Sequence, residues 1–217
     1  MAAPVIVKGY YDTMEGQIHY RTVKAPVKDA SKAPIMFMHM SASSSLIYED
    51  LILLCAAAGY DCYSPDMPGF GVSYNPKHMP EGILYYVDVY MLLAKHAGFT
   101  KWHAFGHHSG ASMATEMAAV YPENILSLTI VGPVSHDARR ANLAQPSQPM
   151  MKLLGEVECP VLGMSSEKDI LYEFFPRVKE IKPDATTVIV TGGDWEVMKD
   201  AEGCCKNLVE FLSKLSY

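Results

Sequence analysis

The segment KWHAFGHHSGAS sets Gly106 and Gly110 two residues to either side of His108. An apolar strand-length run precedes His108 and a helix-period stretch follows it. The spacing therefore predicts a strand–turn–helix with His108 at the tip of a sharp bend. In such a bend the central residue is held at strained, left-handed angles, and flanking glycines let strand and helix approach without Cβ collisions. Histidine is among the non-glycine residues that tolerate positive φ. A neutral imidazole, with a pKa of about 6.5, is a general base at physiological pH. In a register shifted by one residue, Ser109 becomes the nucleophile. The glycines then fall three before and one after it, which serves the tight turn poorly.

The elements that must position this bend are read from periodicity. Strand-length apolar runs at Ile35–His39, Asp61–Ser64, Trp102–Phe105, Leu128–Val131, Val161–Met164 and Thr187–Thr191 alternate with helical segments at Tyr48–Ala58, Gly82–Ala97, Ser109–Val120, Leu171–Lys179 and Cys204–Leu215. That alternation is the signature of βα units in a mostly parallel sheet flanked by helices, an α/β class. Before it, VIVKGYY and QIHYRTV flank the turn-prone DTMEG and predict an antiparallel hairpin at one sheet edge. The 217 residues suit one domain spanning 1–217. Residues 135–158 break the rhythm, polar first and then interrupted by prolines, and form at most a reduced cap or linker.

Composition excludes several classes. Eighteen Lys and Arg against 24 Asp and Glu leave a net charge of −6, which repels a phosphate backbone, so no nucleic-acid partner is expected. No stretch reaches the roughly 18 apolar residues of a membrane span, and the N-terminus lacks a secretory apolar region; a cytoplasmic protein is expected. Five cysteines without a C-x-x-C spacing argue against a disulfide framework or a zinc knuckle. His107 and His108 are adjacent and therefore point in different directions, and no H-x-H pair occurs, so no metal site is expected. His103 on a strand reads as a core histidine, and Asp66 in PDMPGFG as the brace of a turn.

Four segments in order resemble the α/β-hydrolase-fold family over nearly the whole chain: FMHMSASSS the segment after the third strand, PDMPGFGVS the D-x-P-G-x-G-x-S turn, GHHSGA the G-x-S-x-G elbow, and MSSEKD the stretch that delivers the acid. The resemblance implies an α/β-hydrolase fold with a minimal or absent cap domain. It also shows two departures. His108 replaces the family's serine, and the position of the family's catalytic histidine, after the last strand, aligns with Asp194. No histidine follows His136, so the usual Ser-His-Asp chain cannot be assembled. What the resemblance implies instead is a dyad of His108 with Asp169, with Asp194 as second carboxylate or substrate contact. The backbone N–H groups of Ser41 and Ser109 correspond to the oxyanion donors, although Met40 stands where the family has glycine. His107 corresponds to a packing position. His39, Met40, His136 and Trp195 are expected around the substrate, with His39 also supporting its loop.

These residues predict a cofactor-free enzyme acting on a small apolar carbonyl compound, such as an ester, lactone or β-dicarbonyl, with hydrolysis narrowly ahead of lyase, isomerase or cyclase chemistry. The alternative is a catalytically silent hydrolase fold that binds a small ligand. With so short a cap the pocket is expected to be open, or covered by a second copy in a homodimer.

Overall fold

The computed structural model describes residues 3–27, 29–133 and 150–216. Eight strands form one sheet: β1 (Val7–Asp12), β2 (Gln17–Val23), β3 (Ile35–Met38), β4 (Cys62–Pro65), β5 (Trp102–His107), β6 (Ile125–Val131), β7 (Val161–Ser166) and β8 (Thr186–Val190), in the order β1-β2-β4-β3-β5-β6-β7-β8. β1 and β2 pair antiparallel, β2 runs antiparallel to β4, and all pairs from β4 to β8 are parallel. This is the α/β-hydrolase arrangement, with the predicted hairpin at its edge.

The central strands are buried along their whole length, as parallel strands covered on both faces must be. On one face lie α2 (Ile83–Ala97), α3 (Ser109–Val120), α4 (Met150–Glu156) and α5 (Pro176–Ile181), packed through Val87, Tyr90, Met113, Leu154 and Val178. On the other lie α1 (Glu49–Ala57), the single turn α6 (Glu196–Lys199) and α7 (Ala201–Leu212), packed through Leu51, Ile52, Val197, Cys204 and Leu208. Among the described residues no helix is long and apolar enough to cross a membrane.

Three boundaries differ from the sequence reading. The helix expected over Leu171–Lys179 is a 3-10 turn at Tyr172–Phe174 followed by α5. Pro176 lacks an N–H and suits the first position of a new helix better than the interior of an old one. The last helix begins at Ala201, where the Asp200 side chain accepts from the Gly203 N–H at 3.1 Å and caps it. Within the expected cap, residues 150–156 form α4, whose Met150, Met151 and Leu154 are buried in the core. Those two turns of helix belong to the body of the fold; residues 135–149 lie outside the described residues.

Candidate active site

His108 sits between β5 and α3 at φ 50° and ψ −116°. Positive φ is as expected, but ψ lies outside the left-handed helical basin, in a region that costs an L-residue about 1–3 kcal/mol. The two glycines explain how the bend closes. A Cβ on Gly106 would lie 2.1 Å from the Gly110 carbonyl oxygen, and one on Gly110 only 1.9 Å from that of Met38. The N-terminus of α3 thus presses against β3 and β5 at points where only hydrogen fits.

The His108 ring, 14% exposed, binds Asp169 through Nε2 to Oδ2 at 3.0 Å. The structure thus brings together the two groups that the sequence paired. Asp169 lies in the turn after β7, where its Oδ1 accepts from the Leu171 N–H at 2.7 Å. Burial pushes its carboxyl up. Hydrogen bonds from His108 and Glu196, the His108 charge and the Leu171 N–H outweigh burial and hold it below the usual range. An ionised Asp169 fixes His108 as its Nε2–H tautomer and leaves Nδ1 as the proton acceptor.

Gly132, at the end of β6, forms the floor of this pair. At φ +54° it is in glycine's own region, and a Cβ there would lie 2.3 Å from His108 Cδ2 and 2.4 Å from Asp169 Oδ2. Its N–H donates to the Met164 carbonyl. The sequence signal was present in IVGPV, a glycine directly after an apolar strand, but nothing in that text linked it to His108.

The second carboxylate is not Asp194. Its Oδ1 accepts from the Ile170 N–H at 2.7 Å, bracing the turn that carries Asp169. The group that reaches the dyad is Glu196, fully buried at the start of α6. Its Oε1 accepts from the Ser166 N–H at 3.1 Å and its Oε2 lies 3.1 Å from His107 Nε2; among ionisable neighbours Asp169 acts on it most strongly. Burial first, then the hydrogen bond and charge of Asp169, push Glu196 up to about 9. His107 is completely buried and held well below its ordinary value by burial and by His108. Its Nδ1 has no partner. An orphaned acceptor is tolerated better than an orphaned buried donor, which places the His107 proton on Nε2, facing Glu196. Sequence reasoning assigned His107 to packing and missed Glu196, which lies two residues beyond the position aligned with the family histidine.

His107, His108 and Glu196 offer one donor atom each within 4.8 Å of one another. His107 Nε2 bonds to Glu196 Oε2, and His108 Nε2 to Asp169 Oδ2. A cavity of about 620 Å³ lined by Tyr60, His103 and Leu212 lies at the other end of β5 and holds no part of this network, so volume alone does not mark the chemistry.

The expected oxyanion donors are altered. The Ser41 N–H donates to Ser109 Oγ at 2.6 Å, and Ser109 Oγ lies 3.1 Å from Ser41 Oγ. The Ser109 hydroxyl therefore occupies the donor that a substrate oxygen was expected to use. It hydrogen-bonds to serine and not to an imidazole, which gives the shifted register no base for Ser109. The Ser109 N–H, first in α3, has no acceptor within its own helix, as for any helix start. In the same loop Ala42 is at φ 60°, and Met40 is half-buried against the α1 and α7 side of the core.

His39 does not face substrate. It is fully buried, with Nδ1 donating to the Met40 carbonyl at 2.8 Å and Nε2 accepting from the Met67 N–H at 2.9 Å. Burial lowers it to about 4, so it is neutral and structural. Trp195 lies partly exposed in the 3-10 turn Gly193–Trp195. His136 lies outside the described residues. Asp66 braces its turn as expected, accepting from the Ser45 N–H at 2.7 Å and the Val72 N–H at 3.0 Å, with His19 Nδ1 at 3.0 Å.

Comparison with known proteins agrees with this architecture. The model of the alpha/beta hydrolase fold matches residues 33–158. Haloalkane dehalogenase 2 of Mycobacterium tuberculosis is 23% identical over 121 residues, 56% of this chain and 40% of that protein. The match therefore spans less than half the length of that curated relative. Among solved structures, a predicted CIB-like hydrolase from Thermoplasma acidophilum superposes with a TM-score of 0.82 at 17% identity, covering 98% of this chain and 100% of the other. The thioesterase domain from the curacin biosynthetic pathway gives 0.79 at 14% identity, with 95% and 99% covered. Epoxide hydrolase VrEH1 from Vigna radiata gives 0.76 at 13%, with 97% and 98% covered. At these identities the superpositions show the fold alone.

Proposed function

The chain belongs to the α/β-hydrolase-fold family, and on that footing we propose that it is an enzyme acting on a small apolar carbonyl compound, an ester, lactone or β-dicarbonyl, through general-base catalysis by His108. The observation that carries this reading is the 3.0 Å contact between His108 Nε2 and Asp169 Oδ2 at the tip of the elbow. Asp169 orients the ring and stabilises the imidazolium formed when Nδ1 takes a proton. The proton comes from a water that attacks the carbonyl, or from the carbon beside it. The relatives named as dehalogenase, thioesterase and epoxide hydrolase favour the first course. A base with no hydroxyl nucleophile bonded to it suits the second as well, and Ser109 is bonded to Ser41.

The Ser109 N–H is the donor left for developing negative charge, and the Ser41 N–H joins it once the Ser109 hydroxyl rotates away. No step requires a cofactor. The test is turnover of a panel of aryl esters, lactones and β-dicarbonyls by wild type, His108→Ala and Asp169→Asn. The expected result is a loss of about 10²–10⁴ in kcat/KM for His108→Ala, the usual worth of a general base, with a substantial loss for Asp169→Asn. Turnover undiminished by His108→Ala removes the base from the mechanism. Binding of these compounds without turnover by any form establishes the silent ligand-binding fold.

A further inference from the structure

We propose that Glu196 is a positioning residue of this site, holding the proton shared by two buried carboxyl groups so that Asp169 alone presents negative charge to His108. The inference rests on the reading above only in taking Asp169 as the group that orients His108.

The geometry leaves little choice about charge. Glu196 is fully buried and Asp169 is 5% exposed; a Glu196 oxygen lies within 4.8 Å of a ring nitrogen of His108, the ring that Asp169 binds at 3.0 Å, and the two carboxyls act directly on each other. Two carboxylates in such contact cannot both be ionised away from water; one proton must lie between them. The surroundings decide where it resides. Asp169 receives the Leu171 N–H on Oδ1 and the His108 ring N–H on Oδ2, and faces the one imidazole here that is partly open to solvent. Glu196 is the more deeply buried of the two, and its donors are the Ser166 N–H, its own backbone N–H and a neutral His107 that is closed off from water. The charge therefore stays on Asp169 and the proton on Glu196.

The resulting chain runs from the His107 Nε2–H to the Glu196 acid, from that acid to the Asp169 carboxylate, and from the His108 Nε2–H to the same carboxylate. The titratable groups recorded around Glu196 come from four elements: His107 at the end of β5, His108 in the elbow, Asp169 after β7, and Cys204 in α7, whose thiol Glu196 helps to raise. When base carries Glu196 through its ionisation, its proton leaves to solvent and a second negative charge appears behind Asp169. The His108 N–H then faces a pair of anions in place of one, and the ring must respond although Glu196 does not touch it.

The experiment is side-chain NMR of the full chain without substrate, with carbon-13 in the glutamate carboxyls and nitrogen-15 in the histidine rings. Glu196 is expected to keep its acid form across neutral pH and to titrate in the alkaline range. Glu116, which burial also raises, is identified through Glu116→Gln. At the pH where Glu196 titrates, the His108 ring resonances are expected to show a step that disappears in Glu196→Gln, whose amide donates to Asp169 at any pH. A glutamate that merely fills space leaves His108 without a step. A Glu196 signal already ionised at neutral pH, no His108 step in the wild type, or the same step in Glu196→Gln overturns the proposal. The wild-type titration needs no variant to fold, and none of these readings depends on turnover, so failure of the base mechanism and failure of this assignment are separable.

Discussion

Replacing Gly132 by alanine tests the dyad from the backbone side. Gly132 is at φ +54° and Gly98, which ends α2, is at φ +75°, so either alanine incurs the left-handed penalty of about 1–2 kcal/mol. Their surroundings differ. A Cβ on Gly98 meets nothing within 4 Å, whereas one on Gly132 lies 2.3 Å from His108 Cδ2 and 2.4 Å from Asp169 Oδ2. Ordinary carbon–carbon contact begins at about 3.5 Å, so the ring must retreat by roughly 1.2 Å. That displacement breaks a 3.0 Å contact, and a hydrogen bond to a charged group is worth about 1.5–3 kcal/mol.

Gly98→Ala is therefore expected to cost about 1–2 kcal/mol, and Gly132→Ala about 2.5–5 kcal/mol. In a domain of this size each kcal/mol corresponds to roughly 2–4 °C, so Gly132→Ala should melt about 3–12 °C below Gly98→Ala. The assay is paired thermal and urea denaturation of both variants, repeated in a His108→Ala background, where the excess should shrink because half the collision is gone. Equal losses for the two alanines, or an excess unchanged without the ring, would refute the claim that Gly132 exists to seat the His108–Asp169 pair.

Two further outcomes follow from the site. Ser109→Ala removes the hydroxyl that binds the Ser41 N–H and is expected to keep or raise kcat/KM; a loss of about 10²-fold or more would instead give Ser109 the nucleophile's role. The pH dependence of stability has a sign that can be worked out. His39 and His103 are lowered to about 4 by burial and His107 is lowered further. Between about pH 4 and 6.5 the unfolded chain takes up protons that the folded chain refuses, so stability rises with pH there, at up to about 4 kcal/mol per unit for three such groups. Glu196, raised to about 9, acts oppositely above its ordinary value: the folded chain keeps a proton that the unfolded chain has lost, and stability falls by about 1.4 kcal/mol per unit. Urea midpoints measured across pH should peak near 6.5 and decline slowly towards 9; a profile flat or falling between pH 5 and 6.5 contradicts the buried neutral histidines.

The fold was legible because its signals are local. Six apolar runs, a hairpin with a turn-prone centre and glycines at fixed offsets each report on a few consecutive residues, and each was found where the text placed it. His108 was legible for the same reason, since the bend that displays it is written in Gly106 and Gly110. The partners of His108 are a different matter. Asp169 came from resemblance to a family stretch, and Glu196, 88 positions along the chain from His108, carries no local mark: it sits in DWEVMK like any exposed glutamate at a helix start. Only the parallel pairing of β5 with β6 and β6 with β7 brings the ends of these strands together, and only burial turns a common carboxyl into a proton holder. Asp194 shows the converse. Its alignment pointed to the chemistry, but its carboxylate is satisfied by the Ile170 N–H and steadies the turn instead.

The exchange of residues between elbow and loop has a physical logic. In the family the elbow holds the nucleophile and the loop after the last strand supplies the imidazole, with the acid behind it. Here an imidazole, His108, stands on the elbow and a carboxylate, Asp169, lies in the turn after β7. An aspartate buried there without a partner would carry an uncompensated charge, which folded proteins rarely sustain. His108 compensates it from one side and the Glu196 acid from the other. Glu196, after β8, thus contributes a proton donor to the same aspartate. The site retains an oriented base and a single charge, but the hydroxyl that would form an acyl intermediate is held by Ser41. On the proposed reading, chemistry that begins with proton removal is what such an arrangement supports.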